Sequence, residues 1–427
     1  MARILLATIG SLGDLHPFIA IGRALAARGE DVVLAVPEDG VAKVRAAGLV
    51  AAPILPGYAS ICSRLGMSAE ETAARILADS DFVVDEVLLP SLAASTAALD
   101  ALAVEADVIA GSIFAFAAEI VAAKRRLPLA TIMLQPMSLF SAWHPPAAPR
   151  FEFMAHHPRT VLGRGWNRLA YALGRRLLRR RYAPRIDAVR AEHGLPPGKG
   201  APMLDHGAAT AAVLCCWSRA MGALPPDAPA GATLTGFPFF DSESGADDPV
   251  APELAAFLAD GAPPLVFTLG SLAVISAGAF YAEAAAAARA LGRRAVLLTG
   301  QPGPPRREGD CLFMAYAPHS ALFPHAAAVI HHGGIGTTGQ ALRAGRPQLI
   351  VPHFGDQYDN ATRLQGAGIA LKLRRARFSG GHAVRSIARV LDDPAMAAAA
   401  ARAAAAIADE DGGAAAARLI AGLAAPS

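Results

Sequence analysis

Short apolar runs alternate with longer segments of helical periodicity along most of the chain. Apolar runs bounded by Gly, Pro or polar residues are typical of buried strands, whereas segments such as 17–28 and 280–291 favour helices. The predicted strands are 3–8, 31–36, 107–111, 129–134, 212–216, 265–269, 295–299, 312–315, 327–330, 348–351 and 369–373. Repeated strand–helix units with apolar strands predict an α/β protein whose parallel sheets are covered by helices on both faces.

The length of the chain predicts more than one domain, because 427 residues exceed what one typical core organises. The segment 225–264 is rich in Pro, Gly and Asp, which indicates a connection between domains. We therefore predict a first domain at 1–240, a linker at 241–263, a second domain at 264–400 and a C-terminal helix at 401–427.

The composition of the chain argues against several classes of protein. With 53% hydrophobic and 18% charged residues, the chain is not of the disordered type, and a net charge of +3 is too small to indicate a nucleic-acid partner. The four cysteines lack metal-type spacing, which favours buried thiols in a reducing cytoplasm. The first apolar run is too short for a secretory signal, and no run is long and uncharged enough to predict a membrane span.

A glycine-rich turn follows the predicted strand 327–330 and precedes a helix that we predict to open at Thr337. Glycines allow the backbone to turn sharply, and a helix start offers unpaired amides and a partial positive charge. Together they form a phosphate cradle, to which His332 adds a donor. The predicted phosphate-binding residues of this turn are His332, Gly333, Gly334, Gly336, Thr337 and Thr338.

A carboxylate and an amide follow the next predicted strand, 348–351. Asp356 and Gln357 stand side by side there and can bind adjacent sugar hydroxyls. A diphosphate and a sugar held next to each other suggest a sugar nucleotide.

The segment resembles the donor-binding signature of family-1 UDP-glycosyltransferases from plants and bacteria. Their His-x-Gly-x-x-Ser/Thr run is matched by His332, Gly334 and Thr337, and the following Asp-Gln and Asn by Asp356, Gln357 and Asn360. An ordinary βα turn would explain the glycines but not the histidine and the Asp-Gln pair. The resemblance implies the GT-B architecture, in which two Rossmann-like, doubly wound parallel-sheet domains face each other across a cleft and the last helix packs back on the first domain.

The turn after the first predicted strand is a second candidate site. It reads Gly10-Ser11-Leu12-Gly13-Asp14, followed by Pro17, which suits the first turn of a helix. The third glycine of a dinucleotide fingerprint is missing, and Asp14 would repel a pyrophosphate. At the carboxyl end of a strand, Asp14 lies where open α/β sheets bind ligands.

This turn resembles the Gly-Ser-x-Gly-Asp-x-x-Pro motif of bacterial glycosyltransferases that act on lipid, sterol and antibiotic acceptors. The resemblance implies that Asp14 is the general base. The alternative is that Asp14 caps the helix, and one carboxylate can do both. His16 either neighbours the acceptor or is a helix-surface histidine.

Other positions match the family with less specificity. Ser271 follows a predicted strand and can contact phosphate or sugar, and Tyr316 and Pro318 stand where plant members stack the nucleotide base. Gln340 replaces the Glu that plant members use against the ribose. The segments 235–241 and 264–268 resemble the rhamnosyltransferase subunit that builds rhamnolipids, which implies a dTDP-rhamnose donor and a hydroxylated lipid acceptor.

The acceptor side has two ambiguous features. Phe140 and Trp143 lie in a Pro-bearing loop that either lines an acceptor pocket or is a packed connector. Residues 162–177 carry an apolar helical stripe opposite several arginines. This pattern predicts either a helix with its stripe on the core, which we favour, or a helix resting on an anionic membrane surface.

Together the patterns predict an inverting hexosyltransferase that needs no metal or other cofactor. It would move rhamnose or glucose from a dTDP- or UDP-sugar to a hydrophobic small molecule, such as a hydroxy-fatty-acid lipid or a flavonoid. We expect a cytoplasmic protein, with peripheral contact to the inner face of the membrane as the second interpretation of the stripe. The alternatives on the same scaffold are a sugar-nucleotide epimerase or hydrolase, and a non-catalytic nucleotide-sugar-binding partner.

Overall fold

The computed structural model describes residues 1–156, 158–246 and 248–424, which form two compact units. Unit 1 comprises residues 1–68, 79–240 and 411–424, and unit 2 comprises residues 69–78 and 241–410. The α-helices, in chain order from α1 to α17, are Leu12–Ala27, Val41–Ala46, Tyr58–Leu65, Ala69–Ala78, Ser80–Val83, Leu92–Leu102, Phe116–Arg125, Val161–Glu192, Pro252–Ala259, Gly270–Ala273, Phe280–Ala290, His319–Leu322, Ile335–Arg343, Gln357–Gly366, Gly380–Leu391, Pro394–Ile407 and Gly412–Leu423.

Unit 1 is built on a parallel sheet whose strand order is β3-β2-β1-β4-β5-β6-β7. These strands are, from β1 to β7, Arg3–Ala7, Asp31–Pro37, Val50–Leu55, Val108–Ser112, Leu129–Met133, Thr210–Cys215 and Ala232–Leu234. The central strands are almost entirely buried because helices cover both faces, as in other parallel sheets. The order reverses between β1 and β4, which creates a crevice at the carboxyl ends of these strands.

Unit 2 repeats the plan with the strand order β10-β11-β9-β8-β12-β13-β14. Its strands are, from β8 to β14, Leu265–Thr268, Ala295–Leu298, Arg306–Glu308, Cys311–Met314, Ala328–His331, Gln348–Ile350 and Ala370–Lys372. All of these pairs are parallel except that of β10 with β11. The order reverses between β8 and β12. The predicted α/β class with parallel sheets is therefore confirmed.

Three strands were not predicted. Val50–Leu55 contains Pro53, which argues against a strand, but β3 lies at the sheet edge where a missing amide is tolerated. Ala232–Leu234 is only three residues long, and Arg306–Glu308 is an exposed, fully charged edge strand. Neither carries the apolar run from which strands are inferred.

The boundaries of the two units differ from those of the predicted domains. Helix α4 (69–78) belongs to unit 2, where Leu77 packs against the core, although it lies far from that unit in sequence. The predicted linker contains α9, whose Leu254 and Phe257 are buried in unit 2. Residue 247 of the predicted linker lies outside the described residues.

The predicted C-terminal helix is two helices. Helix α16 packs on α13 in unit 2, whereas α17 packs on α1 in unit 1. The approach of α17 is close, because a side chain at Gly412 would lie 2.4 Å from the backbone oxygen of Gly236. Residues 425–427 of the predicted helix lie outside the described residues.

Helix α1 begins earlier than predicted. Ser11 is its N-cap, so Pro17 lies in the second turn rather than the first, and the Gly13 carbonyl lacks the amide donor that a non-proline residue would supply there. The capping pair of Ser11 and Asp14 determines this start.

Helix α8 is oriented opposite to the favoured prediction, with its apolar stripe toward solvent. Leu162, Leu169, Leu173 and Leu177 are each more than half exposed, so the prediction that the stripe faces the core is wrong. The opposite side of the helix is buried instead, because the Asn167 amide donates hydrogen bonds to the backbone oxygens of Ala142 and Ala155. These specific polar contacts orient the helix.

The four cysteine thiols are free and buried, and burial raises the pKa of Cys216 to about 12.

Among the described residues no single helix has the length and apolar character for a membrane span. Two bent pairs, 81–88 with 92–102 and 270–276 with 280–290, meet that criterion by length and composition.

Candidate active site

Three loops of unit 2 begin at one edge of the sheet. Strands β8, β12 and β13 are neighbours, and His331 pairs with Thr268 on one side and with Ile350 on the other. The loops that follow these strands carry Ser271, His332 and Asp356. The structure therefore brings the predicted phosphate and sugar residues to the point where the strand order reverses.

Helix α13 begins two residues before the predicted start. Gly334 is the N-cap, and the Thr338 amide donates to the Gly334 carbonyl oxygen at 2.9 Å. Thr338 therefore has no free amide, and its buried hydroxyl has no hydrogen-bond partner among the described residues. Within the described part of the chain, nothing accepts from the amides of residues 335–337. These three amides can bind an anion at the positive end of the helix.

The imidazole of His332 lies between two glycines. A side-chain carbon at Gly270 would lie 2.6 Å from the ring, and one at Gly334 would lie 2.3 Å from Nε2. Gly270 also has a φ of +68°, which favours glycine, and directly precedes Ser271. The backbone at both positions can approach the ring only because no side chain is present.

His332 is neutral at physiological pH. Burial, followed by the neighbouring His331, His353 and His319, holds the pKa of this imidazole well below its usual range. The ring nitrogen Nδ1 has no hydrogen-bond partner among the described residues. A neutral imidazole carries one N–H group, so the tautomer decides whether the ring donates to the Thr268 backbone oxygen or from Nδ1 to a phosphate oxygen.

His331 determines the shape of the turn. Its Nδ1 accepts from the Gly333 amide at 3.1 Å, and its Nε2 lies 2.8 Å from Gln348 Oε1. Burial lowers the pKa of His331 to about 4, which keeps the neutral form that this pair of bonds requires. The Gly333 amide is thus occupied, and the φ of +92° at Gly333 makes its role that of a turn residue.

Asn360 ties Asp356, a predicted sugar-binding residue, to the turn. Its Nδ2 donates to Asp356 Oδ2 at 2.8 Å and to the Gly333 carbonyl oxygen at 2.9 Å. Gln357 Oε1 accepts from the His353 amide at 2.8 Å, which leaves only the Gln357 Nε2 group for a ligand. Asn360 was noted as part of the motif without a role. Its spacing of one helical turn from Asp356 is the signal that indicates it.

Among the predicted nucleoside-binding residues, Tyr316 has a hydrogen-bond partner within the protein. The Tyr316 hydroxyl donates to Asp241 Oδ1 at 2.7 Å, and the Ser320 amide donates to Asp241 Oδ2 at 2.6 Å. Asp241 was missed because it was assigned to the linker. Pro318 is the N-cap of α12, and the buried Gln340 Oε1 has no hydrogen-bond partner among the described residues. Gln340 therefore retains an unused acceptor, whereas Tyr316 is held in place by Asp241.

In unit 1, Asp14 is both a cap and a perturbed carboxylate. Its Oδ2 accepts from the Ser11 amide at 3.0 Å, so the capping interpretation holds. Burial raises the pKa of Asp14 to about 6, against the lowering effect of the Ser11 hydrogen bonds. A pKa near the working pH is suited to a general base. A side chain at Gly10 would lie 2.2 Å from Oδ2, so the glycine is required for this position of the carboxylate.

His16 is half-buried on α1 and meets the Phe240 ring edge-on, with the ring centroids 5.3 Å apart. The structure thus gives it an aromatic neighbour within unit 1. Neither of its two interpretations is decided by this contact.

The loop of Phe140 and Trp143 is packed against neighbouring residues, as a connector would be. Phe140 lies 6.1 Å from Tyr171 between ring centroids, and the Arg164 guanidinium lies 4.2 Å from the centre of the Trp143 ring. Asp227 Oδ2 accepts from the Ala142 amide at 2.7 Å and fixes the loop. Phe140 also borders a cavity of about 280 Å³, so one of the two aromatic residues lines a space as well.

No cluster of three or more His, Cys, Asp or Glu side chains arranged for a metal ion occurs in the described ranges.

The comparisons with known proteins bear on the family of the chain. Residues 309–420 match the family model described as Erythromycin biosynthesis protein CIII-like, C-terminal domain. The chain is 33% identical over 406 residues to the O-mycaminosyltylonolide 6-deoxyallosyltransferase of Streptomyces fradiae, covering 92% of this chain and 91% of the relative. It is 30% identical over 380 residues to the vancomycin aglycone glucosyltransferase of Amycolatopsis orientalis, covering 86% and 85%.

The fold has a solved counterpart. The crystal structure of the glycosyltransferase VinC in complex with dTDP matches with a TM-score of 0.68 at 20% identity, over 99% of each chain. Because relatives at 30% identity or more extend over most of both chains, and the two-sheet α/β fold is shared, the chain belongs to the GT-B glycosyltransferases of family 1.

Proposed function

We propose that this glycosyltransferase moves a hexose from a dTDP- or UDP-linked donor to a hydroxyl group of a hydrophobic small molecule, with inversion and without a metal ion. The observation that carries the proposal is the open start of α13, where the amides of residues 335–337 lie beside the neutral His332. The charge of a diphosphate is stabilised by such fixed dipoles, so the site offers a substitute for a metal ion.

In the proposed step, Asp14 accepts the proton of the acceptor hydroxyl while the hydroxyl oxygen bonds to the anomeric carbon. The bond from that carbon to the diphosphate oxygen breaks, and the electron pair leaves with the nucleoside diphosphate. The raised pKa of Asp14, about 6, supports its role as base. Asp356 and the Gln357 Nε2 group would hold the sugar and fix the position of the reacting carbon.

The relatives guide the choice of substrates. The Streptomyces relative is named for a 6-deoxyallosyl group, and the VinC structure contains dTDP, which supports a dTDP-linked deoxyhexose such as rhamnose as the first donor. The Amycolatopsis relative is named for glucose and the vancomycin aglycone, which supports glucose as the second sugar and antibiotic aglycones among the acceptors.

The test is a matrix of donors and acceptors. Purified enzyme is incubated with dTDP-rhamnose, dTDP-glucose or UDP-glucose and with a macrolide aglycone, a sterol, a 3-hydroxyalkanoyl lipid or a flavonoid. Mass spectrometry should detect a glycoside, NMR should show inverted anomeric configuration, and activity should persist in EDTA.

Three outcomes would contradict the proposal. Release of nucleotide without a glycoside indicates a hydrolase, and interconversion of the donor sugar indicates an epimerase. Tight nucleotide binding without turnover of any donor indicates a non-catalytic binding partner.

A further inference from the structure

The outer face of α8 carries an apolar stripe that consists of Leu162, Trp166, Leu169, Leu173 and Leu177. These side chains are 50% to 86% exposed. Phe153, 60% exposed, extends the stripe, because its carbonyl oxygen accepts from Trp166 Nε1 at 2.9 Å. The single polar atom of the Trp166 ring is therefore satisfied within the protein, and the rest of the ring can enter an apolar medium.

The α8 stripe is continuous along the helix. Its members follow one another at spacings of three or four residues, which places them on one face of a helix over about 22 Å. Asn167 and Tyr171, on the opposite face, are buried against unit 1. Residues in this pattern normally face a core, so their exposure on a helix that is firmly anchored from behind indicates that something else covers them.

The charge that α8 itself carries around the stripe has one sign, although two of its arginines, Arg175 and Arg181, are paired with aspartates of other segments. Residues 161–181 contain seven arginines and no acidic residue, whereas the whole chain has a net charge of only +3, so the rest of the chain is net negative. Arg168, Arg176 and Arg180 are exposed, and none forms an ion pair with another described residue. Local positive charge on an otherwise acidic molecule selects an anionic partner.

We propose that the α8 stripe and its arginines dock on the surface of an anionic lipid bilayer. An interfacial helix has this combination of leucines and tryptophan on one face and arginines beside them, with the charged ends reaching the lipid headgroups. This docking is separate from glycosyl transfer, and its measurement does not depend on activity.

The experiment measures sedimentation of the full chain with vesicles. Vesicles of equal parts phosphatidylglycerol and phosphatidylcholine should bind the protein, vesicles of pure phosphatidylcholine should not, and high salt should weaken binding. The variants Leu169→Ser/Leu173→Ser and Arg176→Glu/Arg180→Glu should each lower the partition coefficient about tenfold or more, because the first loses apolar side chains that would enter the bilayer and the second places acidic groups against anionic headgroups.

Matched controls separate the stripe from general effects. Val50→Ser/Val104→Ser removes apolar side chains that are 61% and 65% exposed elsewhere, and Arg28→Glu/Arg402→Glu makes the same change in net charge. Both controls should sediment like the parent. Absence of binding to anionic vesicles, or equal losses in the controls, would overturn the proposal. So would a dimer, seen by light scattering without lipid, that is lost in the Leu169→Ser/Leu173→Ser variant.

Discussion

The turn after β1 in unit 1 and the turn after β12 in unit 2 share a geometry but have opposite electrostatics. Each follows a strand where the sheet order reverses, contains a glycine of positive φ and begins a helix. In unit 1 the helix start is occupied from within, since Asp14 accepts from the Ser11 amide. In unit 2 the first turn of α13 has no acidic residue, and its amides remain open.

The difference lies at one helical position. Asp14 is the third residue of α1, and Thr337 is the third residue of α13. A carboxylate at this position satisfies the helix start and presents a base, whereas a threonine leaves room for a foreign anion. The same local fold therefore holds an internally bonded carboxylate in one unit and a helix start with open amides in the other.

Removing the Asp14 carboxylate of unit 1 should have the largest effect on activity. Asp14→Asn keeps an oxygen that can accept from the Ser11 amide but cannot take a proton, so kcat should fall by up to about 10⁴-fold. Nucleotide binding, measured by calorimetry, should not change. The matched control is Asp393→Asn, which makes the same substitution at a helix N-cap far from the site in sequence. Substantial activity in Asp14→Asn would contradict the role of Asp14 as base.

An aspartate at the third position of α13, as in α1, should remove the difference between the two turns and weaken nucleotide binding. Thr337→Asp places a carboxylate at the open amides, where it repels a diphosphate with about 4 kcal/mol at close range, so binding of dTDP or UDP should weaken about 10³-fold. The melting temperature should hold or rise, because an acidic first turn stabilises a helix. Thr337→Ser is the control. Unchanged nucleotide affinity in Thr337→Asp would mean that the diphosphate binds elsewhere.

Removing the neutral donor should have a smaller effect. His332→Ala deletes one hydrogen bond to the leaving diphosphate, so kcat should fall about 10²-fold. Gly270→Ala should also lower kcat, because its methyl group would lie against the His332 ring. Gly292→Ala is the matched control, since that glycine has a similar positive φ but open space around it. Equal kinetics in the two glycine variants would argue against a role for the position of His332.

The change of kcat/KM with pH should be the smallest of these effects on activity. With a pKa of about 6 for Asp14, kcat/KM should fall about tenfold between neutral pH and pH 5, because the protonated carboxyl cannot accept a proton. His332 should not contribute, since its pKa lies well below this range. If kcat/KM of Asp14→Asn falls over the same acidic pH range, the titrating group is not Asp14.

Stability should change with pH in a defined direction. The folded state holds the Asp14 proton more tightly than the unfolded chain, so folding loses stability as the pH rises from about 4 through about 6. Asp14→Asn removes this loss. Its stability relative to the parent, measured by urea unfolding, should therefore be greater at pH 7 than at pH 4.

Local patterns were sufficient to predict much of the fold and the main parts of the candidate donor site. The apolar runs predicted eleven strands of the two sheets, because parallel strands buried on both faces need continuous apolar sequence. The turn around Gly333 was predicted for a similar reason, since glycines and a following helix are local features. The exact start of α13 was not, because the cap at Gly334 is a matter of backbone geometry.

The sequence by itself determined the two α/β units, the glycine-rich turn with His332, and the carboxylate at Asp14, because each is a short-range pattern of residue types. Only the tertiary structure decided the surroundings of these groups: the burial that raises the pKa of Asp14, the two glycines against His332, and the outward face of α8. The physical reason is that protonation and exposure depend on neighbours distant in the chain. A helix with an apolar stripe and a polar second face can pack by either one, and here the hydrogen bonds of Asn167 select the face that is buried.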